Sequence, residues 1–507
     1  MKLSKKSIFV ALLLSLVFML PGFVVQAASP KLNKTSCSLD VGEKVKLKLK
    51  NAKGTVKWSS SNKKVATVNK NGRVTARKVG SAIIKAKYKN KTYECKIKVT
   101  DPHLSESDSF TLKLWCLSDG SKNGNSVYNS ALEEMKEKYP NITVEVTSYE
   151  NEEYKEVIRN ASKNDELPDI FFSWTGGFLG DFVNAEQVYC LDKILKTNIK
   201  NKEISESALE STTYNGKHYG IPYSRDVILL FANMDVLKKA GYDKIPFPFT
   251  MDMFLEYCEK LKYEGITPMG CSGDETWCIT EYLEPLILKL IGAEELQNIY
   301  SGKSSWDNKG IAQAVDMLQD MIRKGYFNSE GNELGSEDVR SNFESGDYAF
   351  YFSGTWNCGT FSEEALESIT INRFPWIFDE EGHGFGNSPL DGQFIGGSTD
   401  ALAVSSSSQY VNKVAEYAVE LGKTISKYSY YYGSGLPTWS SGYDSGTLNS
   451  LLNAVRDIVW PDDKCVLAGD TAMGAEDAAI YLDCVKQVYN LEIDGNTFIK
   501  ILKEKLW

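Results

Sequence analysis

The chain has 507 residues, 42% hydrophobic and 24% charged, with 57 basic side chains against 67 acidic ones. That length calls for two or three domains, and the composition excludes both a disordered chain and a bundle of membrane spans. Ten cysteines are present, but no CxxC pair and no His/Cys spacing of a zinc site occurs.

The first segment has its own layout. Lys2, Lys5 and Lys6 precede an apolar run from Ile8 to Leu20, Pro21-Gly22 breaks the run, and Val25-Gln26-Ala27 forms a small-x-small step. This predicts a secretory signal peptide over residues 1–27. No later stretch approaches the ~20 apolar residues of a membrane span. The first cysteine, Cys37, stands well beyond the apolar run, so the mature protein is expected at the cell surface without a lipid anchor. Export permits disulfides; Cys37 with Cys95 and Cys271 with Cys278 are the pairs to test. Most of the other cysteines sit in apolar surroundings and read as small buried hydrophobes.

Charge then divides the chain. Residues 28–100 hold twenty Lys or Arg and only Asp40, Glu43 and Glu94 as acids, a net +17, whereas residues 101–507 carry 34 basic and 64 acidic side chains, a net −30. Two modules with different partners are implied. In the basic module Lys44–Lys50 alternates strictly between Lys and Val or Leu. Short runs follow at Val56–Trp58, Val65–Val68, Arg73–Ala76, Ala82–Tyr88 and Tyr93–Val99. Period-two alternation puts one face in a core and the other in water, and Asn71-Gly72 is a hairpin-turn signal. A small all-β sandwich over 28–100 follows. Its lysines read either as a solvated face or as a surface that adheres to an anionic cell-wall polymer or membrane surface.

The segment Val56–Tyr88 resembles the bacterial Ig-like domain of group 2. Trp58-Ser59-Ser60, Val65-Ala66-Thr67-Val68, Gly72-x-Val74 and Gly80-x-Ala82-x-Ile84 carry the likeness. The resemblance implies a spacer or adhesion module on a surface protein.

Residues 101–109 are polar and read as a linker. From Phe110 the texture changes. Phe110, Leu112, Leu114 and Cys116 alternate as a strand. Tyr128, Leu132, Met135 and Tyr139 fall at helical spacing before Pro140, and Ile142, Val144 and Val146 alternate again. This β-α-β unit predicts parallel strands. A helix through Tyr154, Val157, Ile158 and Ala161 leads to Pro168–Phe172, an apolar run typical of a strand buried on both faces. Such open α/β sheets bind ligands at the carboxyl ends of their strands, here Cys116–Gly120 and Ser173–Gly177.

Four segments of this module resemble family 1 extracellular solute-binding proteins, the sugar receptors of ABC importers. They are Leu167–Leu195, Tyr214–Asp243 with its Gly220-x-Pro222-Tyr223 step, Tyr348–Asn357, and Phe394–Val404 with the following helix Asn412–Leu421. The resemblance covers roughly 110–507. It implies a periplasmic-binding-protein-like (type II) fold of two α/β lobes. Lobe 1 is expected at about 110–223 plus 397–430, and lobe 2 at about 224–396 plus 431–507. A ligand would lie in the cleft between them.

A sugar offers an apolar C–H face and a rim of hydroxyls, so its receptor needs aromatic platforms and oriented polar groups. Trp174 and Trp356 match ligand positions of the family. Trp277, Tyr431 and Trp439 are large aromatics in polar or Gly-rich surroundings, where each serves either as a platform or as a lid over the core. Asp119, Arg225, Asp226 and Asp400 are the candidate polar partners, with Arg225-Asp226 read alternatively as an ion pair at the hinge.

Enzyme signatures are absent. The three histidines, His103, His218 and His383, belong to no HExxH motif, and the chain shows no GxSxG elbow and no phosphate-binding loop. A glycosidase needs only two carboxylates, so a secreted polysaccharide hydrolase remains an alternative, as does a surface adhesin. The expected function is non-enzymatic capture of a carbohydrate, an oligosaccharide by preference, for delivery to importer membrane subunits. No cofactor and no metal are expected, an acidic module argues against nucleic acid, and monomeric behaviour is anticipated.

Overall fold

The computed structural model describes residues 29–40, 44–77, 80–100, 103–118, 126–378, 392–408, 410–440, 449–460 and 463–507. The chain divides into a unit ending at His103 and a unit running Leu104–Trp507.

The first unit is all-β among its described residues. One sheet orders its strands Ser36–Asp40, Lys91–Thr100, Gly80–Tyr88 and Lys57–Ser60; a second orders Lys44–Lys46, Arg73–Ala76 and Ala66–Val68. Alternation produces both faces. Along Gly80–Tyr88, Ala82, Ile84, Ala86 and Tyr88 are buried while Ser81 and Lys87 are exposed. Leu39, Leu47, Ala66, Val74, Ile84, Cys95 and Ile97 form the core. The Lys44–Lys50 run differs from expectation. It breaks into Lys44–Lys46, which pairs with Arg73–Ala76, and Leu49–Lys50, which pairs with Lys31–Leu32. Cys37 and Cys95 are both free thiols, and so are Cys271 and Cys278.

The second unit is built on one long sheet. Its main path runs Ile142–Tyr149, Phe110–Leu117, Ile170–Trp174, Gln393–Val404, Gly220–Asn233, Tyr348–Gly354 and Thr267–Met269. Phe110–Leu117 pairs in parallel with Ile142–Tyr149 over eight residues, across the helix Ser126–Lys138, as the β-α-β reading requires. Ile142–Tyr149 is the edge strand, which explains why Val146 is exposed despite its alternating pattern. Ile170–Ser173 is fully buried.

Three cores flank this sheet. The first gathers Leu112, Leu114, Tyr154, Phe171, Leu179, Leu402 and the helix Val411–Tyr432 through Val414, Ala418 and Leu421. The other two lie on opposite faces of the second half of the sheet. Along Gly220–Asn233, Ile228, Leu230 and Ala232 enter one, and Val227, Leu229 and Phe231 enter the other. Two lobes result, joined by Gly220–Asn233 and Gln393–Val404, which among the described residues are the strands of the main path that belong to both halves.

Where these strands cross between lobes, their pairing slips. Ile221 faces Leu402 and Val227 faces Gly396, with register shifts on both sides of Ser224. Such irregularities bend a strand and let it change direction. Gly396 sits there with φ of +134°, and a Cβ on it would stand 2.1 Å from the Asp226 carbonyl oxygen. We expect Gly396→Ala to cost about 2–3 kcal/mol, read as a fall of several degrees in the melting temperature of the second unit. An unchanged melting temperature would show that the crossing tolerates a wider separation.

Candidate functional site

A cavity of about 740 Å³ opens between the two lobes. Leu117, Tyr128, Trp174, Phe178, Tyr223 and Asp400 supply one wall, and Trp277, Glu281, Tyr351, Trp356, Asn357 and Asp470 the other. The carboxyl ends of Phe110–Leu117 and Ile170–Trp174 lie at this cavity, where an open α/β sheet places its ligand.

Trp174 ends a buried strand and half emerges into the cavity. Its ring is braced edge-on by Phe172 at 4.8 Å and Phe178 at 5.0 Å. Lys155 Nζ stands 5.3 Å from the ring centre and 2.7 Å from a Glu152 oxygen. The platform is therefore rigid, and the paired cation over its ring also lines the cavity.

Trp356 is placed by the turn around it. Thr355 Oγ1 donates to Asp226 Oδ1 at 2.8 Å, and Asn357 Nδ2 donates to Ser353 Oγ at 2.9 Å. Anchored on both sides, Trp356 folds back over Gly354, where a Cβ would lie 1.9 Å from the ring. No other residue admits this approach. Trp277 stands 6.3 Å from Trp356 between ring centres, inclined at 58°. Its Nε1–H donates to Glu275 Oε2 at 2.9 Å, while Glu275 Oε1 accepts from the Ser336 N–H at 2.8 Å. Trp277 is the first residue of the helix Trp277–Ile291 rather than part of a polar loop. The cavity thus has an aromatic platform on one lobe and a tilted pair on the other.

The remaining candidates fall elsewhere. Arg225 points away from the cavity and donates to the carbonyls of Trp460 and Asp463, each at 3.2 Å. Its neighbour Asp226 points to the opposite face, as successive strand residues must, so the two form no ion pair. Tyr431 packs against the core that Leu229 and Phe231 enter. The adjacent Tyr432 lines the cavity instead, because residues one apart on a helix point about 100° apart. Trp439 is 1% exposed and its Nε1–H donates to the Pro222 carbonyl at 2.8 Å, so it is a core residue beside the crossing. Asp119 lies outside the described residues.

Buried carboxyl groups are the main feature that sequence reasoning missed. Glu281 is 3% exposed; its Oε1 accepts from Ser353 Oγ at 3.0 Å, and its Oε2 has no hydrogen-bond partner among the described residues. Burial pushes its carboxyl well above the usual range. Glu284, one turn further on, is raised to about 8, first by burial and then by the charge of Asp470. A polar group inside an otherwise apolar helical run was the available signal.

At the crossing, Ser224 Oγ lies 2.7 Å from Asp226 Oδ2 and 3.4 Å from Asp400 Oδ2. Loss of water raises both carboxyls, Asp226 to about 6 and Asp400, which also feels Asp226, to about 8. Near neutral pH the pair therefore keeps a proton. Among the described residues three cations also reach the cavity: Lys155 lies 2.7 Å from Glu152, Arg340 lies 3.5 Å from Glu344, and Arg159 lies 5.1 Å from the centre of the Phe178 ring, which carries no counter-charge. Among the described residues no group of His, Cys, Asp and Glu could hold a metal ion.

Comparison with known proteins agrees with this geometry. The profile of bacterial extracellular solute-binding proteins matches residues 119–422, and that of bacterial Ig-like domains (group 2) matches residues 29–99. An uncharacterized ABC transporter extracellular-binding protein of Pyrococcus horikoshii is 25% identical over 238 residues, 46% of this chain and 54% of that protein. The sn-glycerol-3-phosphate-binding periplasmic protein of Escherichia coli is 23% identical over 244 residues, 47% of this chain and 53% of that protein. The chain thus spans about half the length of the curated relatives it matches. A solved structure from work on xylan utilization by Caldanaerobius polysaccharolyticus superposes with a TM-score of 0.73 at 27% identity, covering 78% of this chain and all of that one. A chitin oligosaccharide binding protein superposes at 0.69 and 20% identity, covering 78% and 98%.

The carboxyl pair at the crossing has a pH signature. An acid whose folded pKa is raised contributes stability in full below its unfolded value, about 4, and loses it as pH rises through the folded value. Asp400→Asn should match the wild type near pH 4 and become progressively more stable than it up to about pH 9. Melting temperatures across this range test it; a gap that does not change with pH would mean that Asp400 ionises freely.

Proposed function

Because the chain belongs to the bacterial extracellular solute-binding proteins, a family of receptors rather than enzymes, we propose that it captures an oligosaccharide outside the cell and passes it to the membrane subunits of an ABC importer. Its first unit belongs to the bacterial Ig-like domains of group 2. The observation that carries the carbohydrate reading is the set of tryptophans on both walls of one 740 Å³ cavity. Trp174 on one side, and Trp277 with Trp356 on the other, offer flat faces to the C–H surface of a sugar. Asn357, Glu281 and Asp400 offer donors and acceptors to its hydroxyls. The volume lies in the upper part of the range for ligand pockets, ~300–1,000 Å³, which suits several sugar units better than one. A phosphate ester such as the ligand named for the Escherichia coli relative would need cations free of counter-charge, whereas Lys155 and Arg340 have carboxylate partners and Arg159 lies on the Phe178 ring.

Secretion follows from the same reading: the basic start, the apolar run and the Val25-Gln26-Ala27 step export the chain, and the cargo is met outside the membrane. Among the described residues no helix is long and apolar enough to cross a membrane.

Thermal melting of the full chain against neutral mono- and oligosaccharides, uronic acids and glycerol 3-phosphate tests the proposal. A ligand that binds only the folded state adds about 2.7 kcal/mol at a hundred times its dissociation constant. We expect one family of neutral oligosaccharides to raise the melting temperature by a few degrees, the shift to disappear in Trp174→Ala and Trp356→Ala, and the sugar to be recovered unchanged. A shift with glycerol 3-phosphate alone, or a sugar that is cleaved, would overturn it.

A further inference from the structure

We infer that the Ig-like unit is a docking site for a flexible phosphodiester polymer of the cell envelope, held by lysines on both of its outward faces. The register of the strands carries the inference. Lys57 stands directly opposite Lys87, Lys46 opposite Arg73, and Lys31 opposite Lys50. All six side chains are exposed. Like charges directly opposite one another on a sheet are destabilising, and here the repulsion occurs in three places. One opposed pair relieves it, Lys85 with Glu94 at 3.1 Å.

Solubility does not call for this pattern. A sandwich stays in solution with mixed charges, and interspersed Glu would remove the repulsion at no cost to packing. Instead the sequence between 28 and 100 sets twenty cations against three acids. A counter-charge from outside the protein is what such a surface lacks. Eighteen of the twenty cations are lysines, compact point charges that suit single phosphate groups better than the paired oxygens of a carboxylate, which arginine grips in a fork.

Geometry selects a polymer over a bilayer. Lys57, Lys87, Lys96 and Lys98 project from the outer face of the four-stranded sheet, and Lys44, Lys46 and Arg73 from the outer face of the three-stranded one. Both inner faces are turned to one shared core, so the two outer faces point in opposite directions. A flat membrane meets one face at a time, whereas a flexible chain within a polymer matrix meets both. Residues 101–507, at net −30, repel the same polymer, which confines the attachment to the first unit and leaves the cargo cavity clear of it.

The test uses the full chain and three reversals, Lys46→Glu, Lys50→Glu and Lys87→Glu, combined in one variant. Each turns a repelling pair into an attracting one. The variant should melt no lower than the wild type, and should bind poly(glycerol phosphate) at least tenfold more weakly, to order of magnitude. Wild-type binding should also weaken steeply between about 50 and 200 mM salt, as counterion release from a polyanion dictates. If the triple variant misfolds, Lys96→Gln with Lys98→Gln gives the same readout on one face, with a smaller loss of binding. Absence of polymer binding by the wild type at low salt would overturn the inference. So would equal binding by the variants, or a preference for phosphatidylglycerol vesicles over the polymer.

Discussion

Two strands carry the architecture of the second unit. Gly220–Asn233 and Gln393–Val404 run out of one lobe and into the other, and the helix Val411–Tyr432 also reaches from the core of the first lobe to a core of the second. The pairing of the two strands slips around Ser224, and Gly396 lets the second strand lie against the Asp226 carbonyl. The same few residues reach into the cavity on either side. Asp400 belongs to its wall, and Asp226 holds Thr355, which in turn sets Trp356. Ser224, Asp226 and Thr355 thus link the crossing to two cavity residues, Asp400 and Trp356, through one hydrogen-bonded cluster.

The cavity's chemistry follows from which charges are free. Its cations are tied to Glu152, to the Phe178 ring and to Glu344. Its buried carboxyls Glu281 and Asp400 lack cations and hold protons more tightly than usual. A protonated carboxyl can both donate and accept a hydrogen bond. Aromatic surface then supplies the apolar contact, and its rigidity matters. Phe172 and Phe178 hold Trp174, and Glu275 holds Trp277, so little side-chain entropy is lost when a ligand stacks on them.

Much of this was legible beforehand. Charge asymmetry and period-two alternation marked the first unit, and the β-α-β pattern with a doubly buried strand marked the sheet of the second. Trp174 and Trp356 stood out because a large aromatic beside Gly176-Gly177 or Gly354 has little core to enter. Other residues escaped for physical reasons. Trp439 has the same polar neighbours as a platform residue, yet a partner more than two hundred residues away, the Pro222 carbonyl, draws it into the core. Tyr431 and Tyr432 are equivalent in composition, and only the phase of a 22-residue helix separates them. Glu281 is not marked by its immediate polar neighbours; what distinguishes it is a helix buried on nearly all sides.

The central claim is that platforms on different lobes grip one ligand at the same time. A double-mutant cycle on Trp174 and Trp356, with affinities for the bound oligosaccharide measured by calorimetry, tests it most directly. If both rings hold the same sugar chain across a closing cleft, the losses from Trp174→Ala and Trp356→Ala will not add, and the coupling will be about 0.5–3 kcal/mol. Strictly additive losses, or a loss from one substitution alone, would mean that the two walls act separately and that the cleft is not the binding site described.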